Sequence, residues 1–271
     1  MIELIGDWQA TRRPEVVPPS FASAWGDDRY GLWANLSVKQ HTQRMRWIEP
    51  GEFMMGAPAI EVGGDADEKP AHRVRISQGF WLADTACTQE LWQAVMSDNP
   101  SYFQGKRNRL QTKGLPVEQV GHKLVGEFLN ALALFIPKNF QAQLPTDAQW
   151  EYACRAGTKT SFSFGNDISK DQVNFNSNSP VAVSTLPPNK WGLFEMHGNV
   201  WEWCADAKRR YAELDELSVE VDPEGSKNGA YTLRGGSWGA PAQHARSAFR
   251  NQDRIGSGWR FDGFRFALRS I

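Results

Sequence analysis

Two glutamates in the stretch PPNKWGLFEMHGNVWEWCAD, residues 187–206, carry side chains that could bind a hard metal ion. Glu195 and Glu202 flank a Gly-Asn turn, and the backbone must curl tightly at Gly198. Calcium takes roughly six to eight oxygens in flexible geometry, so carboxylates beside turn carbonyls suit it. Alternatively, the glutamates cap backbone groups or pair with arginine, while Trp201 and Trp203 lie in the core. Both interpretations remain open on the residues alone.

Histidines and cysteines offer few other routes to chemistry. No two of the five histidines have the spacing of paired metal ligands, and no G-x-S-x-G, P-loop or H-E-x-x-H motif occurs. We therefore expect the histidines to be structural. His197 and Cys204 could form a soft-metal pair, but two such residues on a curled loop more often simply pack in the core. The three isolated cysteines are typical of reduced thiols. The five histidines are His41, His72, His122, His197 and His244, and the three cysteines are Cys87, Cys154 and Cys204.

The stretch RSAFRNQDRIGSGWRFDGFRFAL, residues 246–268, mixes arginines with aromatic residues. It could be a nucleic-acid patch, a catalytic loop or a displayed binding surface. The chain has 30 basic and 31 acidic residues, for a net charge of −1. Because neutralising phosphates requires a surplus of basic charge, we expect no nucleic-acid partner.

The aromatic residues of this stretch divide into two groups. We expect Phe264 to lie in the core, with Arg250 and Arg265 paired to acidic groups beneath it. For Phe249, Trp259 and Phe261, burial in the core and exposure remain equally open. Exposed aromatic side chains make good binding anchors, and the neighbouring Ser, Gly and Asn residues would give adaptable contacts.

The elements that must position these residues are short. Thr88 is a predicted N-cap for the helix QELWQAVM, and HKLVGEFLNALALF has apolar residues at helical spacing. In LPTDAQWEYACRAGT, Thr146 and Gln149 form a capping box. RRYAELDELSVE, residues 209–220, could add a further helix. Alternating apolar and polar runs between Gly and Pro predict short strands.

These patterns predict an α+β fold with few short helices, small antiparallel sheets and much ordered loop. We expect one main domain at 45–271, preceded by residues 1–44 as an arm with short strands. The 12 tryptophans and 24 glycines suit irregular backbone pinned by large flat side chains. Without a signal peptide or a run of eighteen apolar residues, we expect a cytoplasmic protein with no membrane partner.

Eight motifs occur in an order that resembles one known family. They are GEFMMG, HRVRISQGFWLAD, CTQELWQAVM, PVEQV, LPTDAQWEYACRAGT, NKWGLFEMHGNVWEW, LRGGSW and RSAFRN…GFRFAL. Together they resemble the formylglycine-generating enzyme family, also called the sulfatase-modifying factor domain, over residues 45–271. The resemblance implies a variant of the C-type lectin fold, often with bound calcium. By that resemblance, Glu195 and Glu202 would bind a structural calcium through side chains, and Gly198 and Val200 through carbonyls.

The resemblance also locates the family's oxidase chemistry. The family's enzyme binds copper with two cysteines five residues apart, and the matching positions here are Ala242 and Ser247. A methyl and a hydroxyl group cannot bind copper(I) as thiolates do. We therefore expect no copper, no catalytic residues and no formylglycine generation.

Some proteins of this fold are variable proteins of diversity-generating retroelements, whose C-terminal segment is rewritten to make new binding surfaces. This chain has RGGSW at 234–238 and GFR at 263–265, which resemble the limits of that segment. Nine residues between them are candidates for ligand binding: Ala240, His244, Phe249, Asn251, Asp253, Ser257, Trp259, Phe261 and Asp262.

The leading hypothesis is a non-catalytic ligand-binding protein that uses about residues 238–262 as a surface for a protein or other macromolecule. A retroelement could diversify that surface. The first alternative is a tailoring oxidoreductase of the same superfamily, with a site around His244, Ser247 and Glu202. The second alternative is an adaptor or regulatory domain beside signalling or protease modules.

Overall fold

The computed structural model describes residues 12–104, 113–211 and 218–271. These described residues contain three α-helices, namely α1 (Gln89–Met96), α2 (His122–Leu132) and α3 (Asp147–Arg155). The strands are β1 (Ala22–Asp28), β2 (Gly31–Val38), β3 (His41–Ile48), β4 (Gly51–Met55), β5 (His72–Ile76), β6 (Phe80–Ala83), β7 (Phe140–Gln143), β8 (Trp201–Ala207), β9 (Glu220–Val221), β10 (Ala230–Arg234), β11 (Asn251–Arg254), β12 (Asp262–Gly263) and β13 (Ala267–Ser270). The helix predicted at 209–220 falls partly on residues 212–217, outside the described residues.

The strands form three small sheets, as the α+β prediction required. The largest has six strands in the order β1-β2-β3-β6-β13-β7, the second has the order β11-β10-β8-β12, and the third β4-β5-β9. Two pairings are parallel, β5 with β9 and β8 with β12, so the second and third sheets are mixed, whereas every pairing in the six-stranded sheet is antiparallel.

The N-terminal strands belong to the domain's main sheet. β2 pairs with β3 from Trp33–Arg46 to Val38–His41, and β1 pairs with β2. The predicted boundary at residue 44 therefore falls inside β3. The sheet extends the domain back to Ala22.

The helices begin where their capping residues predict. The Thr88 hydroxyl accepts the Leu91 N–H at the start of α1. At the start of α3, Thr146 and Gln149 form the predicted capping box. α2 packs its apolar face inward, and Phe128 stacks on Trp92 with ring centroids 5.1 Å apart.

Large aromatic side chains fill the core between the sheets and the helices. Trp81, Trp92 and Trp203 are buried in one cluster with Phe264, while Trp150 lies in a second cluster around α3. The Trp203 indole donates to the Val120 carbonyl at 2.8 Å, which joins β8 to the start of α2. In the described part of the chain, no helix is long and apolar enough to cross a membrane.

Candidate ligand-binding face

Residues 239–261 form a surface that we call the C-terminal face. It begins after β10, includes the short helical turn Ala242–Ala245 and strand β11, and ends before β12. β10 is buried in the second sheet, and its partner β11 lies at the edge of that sheet with Asn251 exposed. The sheet thus holds this irregular segment at the surface.

Aromatic side chains form the floor of this face. Phe249 stacks on His244 with centroids 4.4 Å apart, and it lies 5.8 Å from Trp201. Beyond Trp201, Phe261 contacts Trp238 at 6.2 Å. Phe249 and Phe261 are only half-buried, so part of each residue remains accessible.

Trp259 projects from the face and is held from two sides. Its side chain is 59% exposed. The indole N–H donates to the Asp253 carboxylate at 3.0 Å, and the backbone N–H donates to the Asp262 carboxylate at 2.9 Å. A large apolar ring is therefore presented to solvent with restricted freedom.

The nine predicted binding residues do not all lie at the surface. Asn251 and Trp259 are exposed, and Ala240, His244, Phe249, Asp253, Ser257 and Phe261 are half-buried. Asp262 is only 1% exposed and lies beneath the face rather than on it. Burial raises the pKa of Asp262 to about 7, against the lowering effect of the Trp259 N–H. Asp262 positions Trp259 from below.

The core prediction for this stretch is confirmed. Phe264 is fully buried. Arg265 pairs with Glu202 at 2.7 Å, and Arg250 pairs with Asp147 at 2.7 Å.

Arg234 extends this buried charged layer beneath the face. It pairs with Asp147 and, at 2.9 Å, with Glu151. Burial alone would raise the pKa of Asp147, but Arg234 and Arg250 hold that pKa below its usual value. Paired buried charges of this kind fix the position of the segment above them.

The acidic loop at residues 57–68 forms the rim of the face, which the sequence analysis did not foresee. The Arg246 guanidinium donates to Glu61 at 2.8 Å, to both carboxylate oxygens of Glu68 at 2.7 and 2.8 Å, and to the Gly63 carbonyl. Arginines in RSAFRN and acidic residues in EVGGDADE were visible, but nothing local in either motif indicates that they meet.

A groove of about 590 Å³ lies between this rim and the C-terminal face. Ile60 and Val62 on the rim are 90% and 91% exposed. The opposite wall includes Ala242 and Gln243, and Lys159 lies at the margin. The groove thus combines apolar side chains with a few polar groups, as ligand sites commonly do.

The position of the family's second cysteine is buried and hydrogen-bonded. Ser247 is inaccessible, and the Cys154 thiol donates to its hydroxyl at 3.7 Å. Burial raises the pKa of Cys154 to about 12, so its thiol stays protonated. The proximity of Cys154 to Ser247 was missed, because its helix lies in a motif far away in sequence.

His197, next to this thiol, has both ring nitrogens engaged. Nδ1 contacts the Ala245 carbonyl at 2.6 Å, and Nε2 accepts the Ser163 N–H at 3.0 Å. Burial lowers its pKa to about 4, which keeps the ring neutral. His197 therefore locks the start of the face to the 161–163 loop, as its structural interpretation predicted, and offers no free lone pair to a metal.

The three residues of the alternative oxidoreductase site each contact a different side chain. His244 stacks on Phe249, Glu202 pairs with Arg265, and Ser247 bonds to Cys154. The three predicted residues therefore serve different partners.

The predicted calcium ligands do not fit the ion in this arrangement. Both oxygens of Glu202 accept from Arg265, at 2.7 and 2.8 Å, and one also accepts the Trp150 indole N–H. The oxygens of Glu195 accept the N–H groups of Ser184 and Leu186. Gly198 lies in the turn, its N–H bonded to the Gly235 carbonyl, and Val200 is buried before β8. The Arg265 guanidinium already neutralises the Glu202 carboxylate, so calcium would have to displace Arg265.

Burial raises the pKa of Glu195 to about 7, although the two N–H donors oppose this shift. Glu195 therefore caps backbone N–H groups, and Glu202 pairs with an arginine. Both are the alternatives to metal binding that the sequence left open.

Residues 34–270 match the sulfatase-modifying factor enzyme 1-like domain, and the chain belongs to this family. Its fold is the formylglycine-generating-enzyme variant of the C-type lectin fold. Among solved structures, it is similar to Treponema denticola variable protein 1, with a TM-score of 0.77 and 25% identity over 88% of this chain and 99% of that chain.

Two curated relatives match different shares of this chain. The serine/threonine-protein kinase pkn1 of Chlamydia caviae is 31% identical over 242 residues, which are 82% of this chain and 37% of that protein. The formylglycine-generating enzyme of Streptomyces coelicolor is 38% identical over 116 residues, covering 35% and 36% of the two chains. The chain thus spans well under half the length of these relatives.

Proposed function

We propose that this chain is a non-catalytic ligand-binding protein and that its C-terminal face recognises a protein or other macromolecule. The observation that carries the proposal is Trp259, which is 59% exposed yet tethered by Asp253 and Asp262. Binding energy concentrates on buried aromatic anchors, and an anchor that is already ordered loses little entropy on binding.

The surroundings of Trp259 support the same proposal. The exposed Arg260 lies 5.5 Å from the buried Trp238 ring and 5.9 Å from the exposed Tyr102 ring, so a cation and an aromatic side chain are displayed together. The groove between Ile60 and Gln243 would take a second, apolar part of the ligand. The similar Treponema protein is called a variable protein, which is consistent with a displayed surface.

Catalysis is the weaker candidate because the positions that carry it in the family hold other residues. Ala242 has no functional group, and the Ser247 hydroxyl is buried against a protonated thiol. Neither presents a nucleophile or a redox ligand to the groove.

Photo-crosslinking tests the proposal directly. A benzophenone amino acid placed at Gln243 or Asn251, both exposed on this face, should yield discrete adducts with the ligand in extracts of the source cells. The matched control is Leu134, which is 85% exposed and lies outside this face. Identical adducts from all three positions would overturn the proposal.

Diversification of the face by a retroelement is the finer part of this proposal. It predicts a near-copy of the gene's 3′ end close by, differing mainly at adenines, with a reverse transcriptase gene alongside. Sequencing the locus tests this part without affecting the binding proposal.

A second candidate is recognition in the service of a signalling protein. It is favoured by the similarity to pkn1, a protein named as a kinase, over 82% of this chain. In that case the C-terminal face would bind the kinase's substrate or regulator. Co-expression with a kinase encoded at the same locus, followed by size-exclusion chromatography, tests whether the two form a complex.

A further inference from the structure

A second cavity of about 590 Å³ lies apart from the C-terminal face. It opens between the N-terminal arm at Arg12 and Arg13, the turn that joins β1 to β2, and the segment at Lys190 and Trp191. None of the residues that line it belongs to the C-terminal face or to its acidic rim.

Cations outnumber acids around this cavity. Its lining includes Arg12, Arg13, Arg29 and Lys190, against Asp27 and Glu49. Arg13 pairs with Asp27 at 3.5 Å. Over the described ranges 12–104, 113–211 and 218–271, no carboxylate lies at ion-pair distance from the other three cations.

The charge beneath the cavity is already balanced. Arg46 is buried below Tyr30 and donates to both oxygens of Asp28, at 2.8 and 3.0 Å. The positive charge that no carboxylate of the described residues balances therefore belongs to the lining residues Arg12, Arg29 and Lys190. Of these, Arg29 lies 4.5 Å from the Tyr30 ring.

Aromatic side chains form rigid walls. Tyr152 and Trp191 meet edge to face with centroids 4.8 Å apart, and the Tyr152 hydroxyl donates to the Glu49 carbonyl at 3.1 Å. The Trp47 indole donates to the Arg12 carbonyl at 2.7 Å and so fixes the arm over the cavity. These bonds hold the walls in place without a ligand.

We propose that this cavity binds a small anionic ligand that carries a planar ring, such as a nucleotide or an aromatic carboxylate. Arginine forks match phosphate and carboxylate groups, and lysine adds a mobile point charge. Aromatic walls stack against planar rings, and a cavity of this size falls within the range of small-molecule sites. The cations select the anionic end of the ligand, and the walls select its ring.

Isothermal titration calorimetry of the whole chain tests the proposal with four probes. Adenosine 5′-monophosphate and indole-3-acetate each combine a ring with an anion, whereas adenosine supplies only the ring and inorganic phosphate only the anion. We expect saturable binding of at least one of the two probes that combine a ring with an anion. Adenosine and inorganic phosphate should each bind at least about tenfold more weakly than that probe.

Two lysine variants locate the site. Lys190→Gln removes a charge at an exposed position and should weaken the combined probe about tenfold, the loss expected for one charge-assisted hydrogen bond. Lys159→Gln is the matched control at the other groove and should leave binding unchanged.

Three results would overturn the inference. They are no saturable binding of either combined probe at millimolar concentration, inorganic phosphate binding as tightly as the nucleotide, or equal affinity of the Lys190→Gln variant and the wild type.

Discussion

At the scale of single residues, the C-terminal face depends on two carboxyl groups that are buried beneath it. Asp262 accepts the Trp259 backbone N–H, and Glu202 accepts a buried guanidinium. Because both carboxyl groups are buried, the structure beneath the face depends on the protonation state of each one. Substitutions at these positions therefore change stability before they change recognition.

The proton on Asp262 gives a pH-dependent prediction. Burial raises its pKa from 3.8 to about 7, so the folded chain keeps a proton that the unfolded chain has lost. This contribution to stability is full below about pH 4 and is lost as the pH rises toward 7. Asp262→Asn should therefore flatten the fall in melting temperature between pH 5 and pH 8, measured by circular dichroism. Asp171→Asn, at an exposed position outside the face, is the control, and the same slope in Asp262→Asn and wild type would refute the assignment.

The Glu202–Arg265 pair gives a prediction about stability. Both side chains are buried, so Arg265→Met leaves an uncompensated carboxylate and should cost about 3–5 kcal/mol of unfolding free energy. Arg13→Met, which removes one partner of the exposed pair with Asp27, should cost less than about 1 kcal/mol. Urea unfolding measures both. Comparable losses would show that the buried pair is not a foundation of the face.

At the scale of elements, the acidic loop at 57–68 accepts four hydrogen bonds from Arg246 of the face it borders and one from Arg250. Arg246 bonds to Glu61, Glu68 and the Gly63 carbonyl. Arg246→Met should therefore free the loop, and amide hydrogen exchange of residues 57–68 should accelerate more than that of β10. Gln243→Ala, on the same face, should leave both unchanged. Uniform acceleration throughout the chain would mean that Arg246 supports the whole fold instead.

The loop between Glu195 and Glu202 gives a calcium test. Because Arg265 and backbone N–H groups occupy its carboxylates, adding calcium or a chelator should not shift the melting temperature. A ligand that binds only the folded state raises the midpoint, so a rise with calcium would show that the ion displaces the arginine. Magnesium at equal concentration is the control for ionic strength.

Sequence patterns predicted the elements well where the signal is local. The capping box of Thr146 and Gln149 lies within one helical turn, and the apolar spacing around Phe128 marks one helix face. The parallel pairing of β12 with β8 joins residues some sixty positions apart, and no local pattern encodes it. Arg246 with Glu68, and Cys154 with Ser247, were missed for the same reason.

At the scale of the whole molecule, an ordered set of motifs predicted the fold. Residue types alone did not predict which aromatic side chains of the C-terminal stretch are exposed. Phe264 and Trp259 stand five positions apart in one stretch, yet one is fully buried and the other is 59% exposed. The difference comes from long-range packing, since Phe264 fits against Trp92 and Phe128 while Trp259 lies beyond the edge of the sheet.

Competition for crosslinking tests most directly whether this face is a binding surface. Unlabelled wild-type chain in excess should suppress the adduct formed from position 243, because both compete for one ligand. Trp259→Ala should suppress it at least about tenfold less well, the loss expected for an aromatic anchor, while Leu134→Ala should match wild type. All three must melt at the same temperature. Equal suppression by Trp259→Ala and wild type would contradict the account.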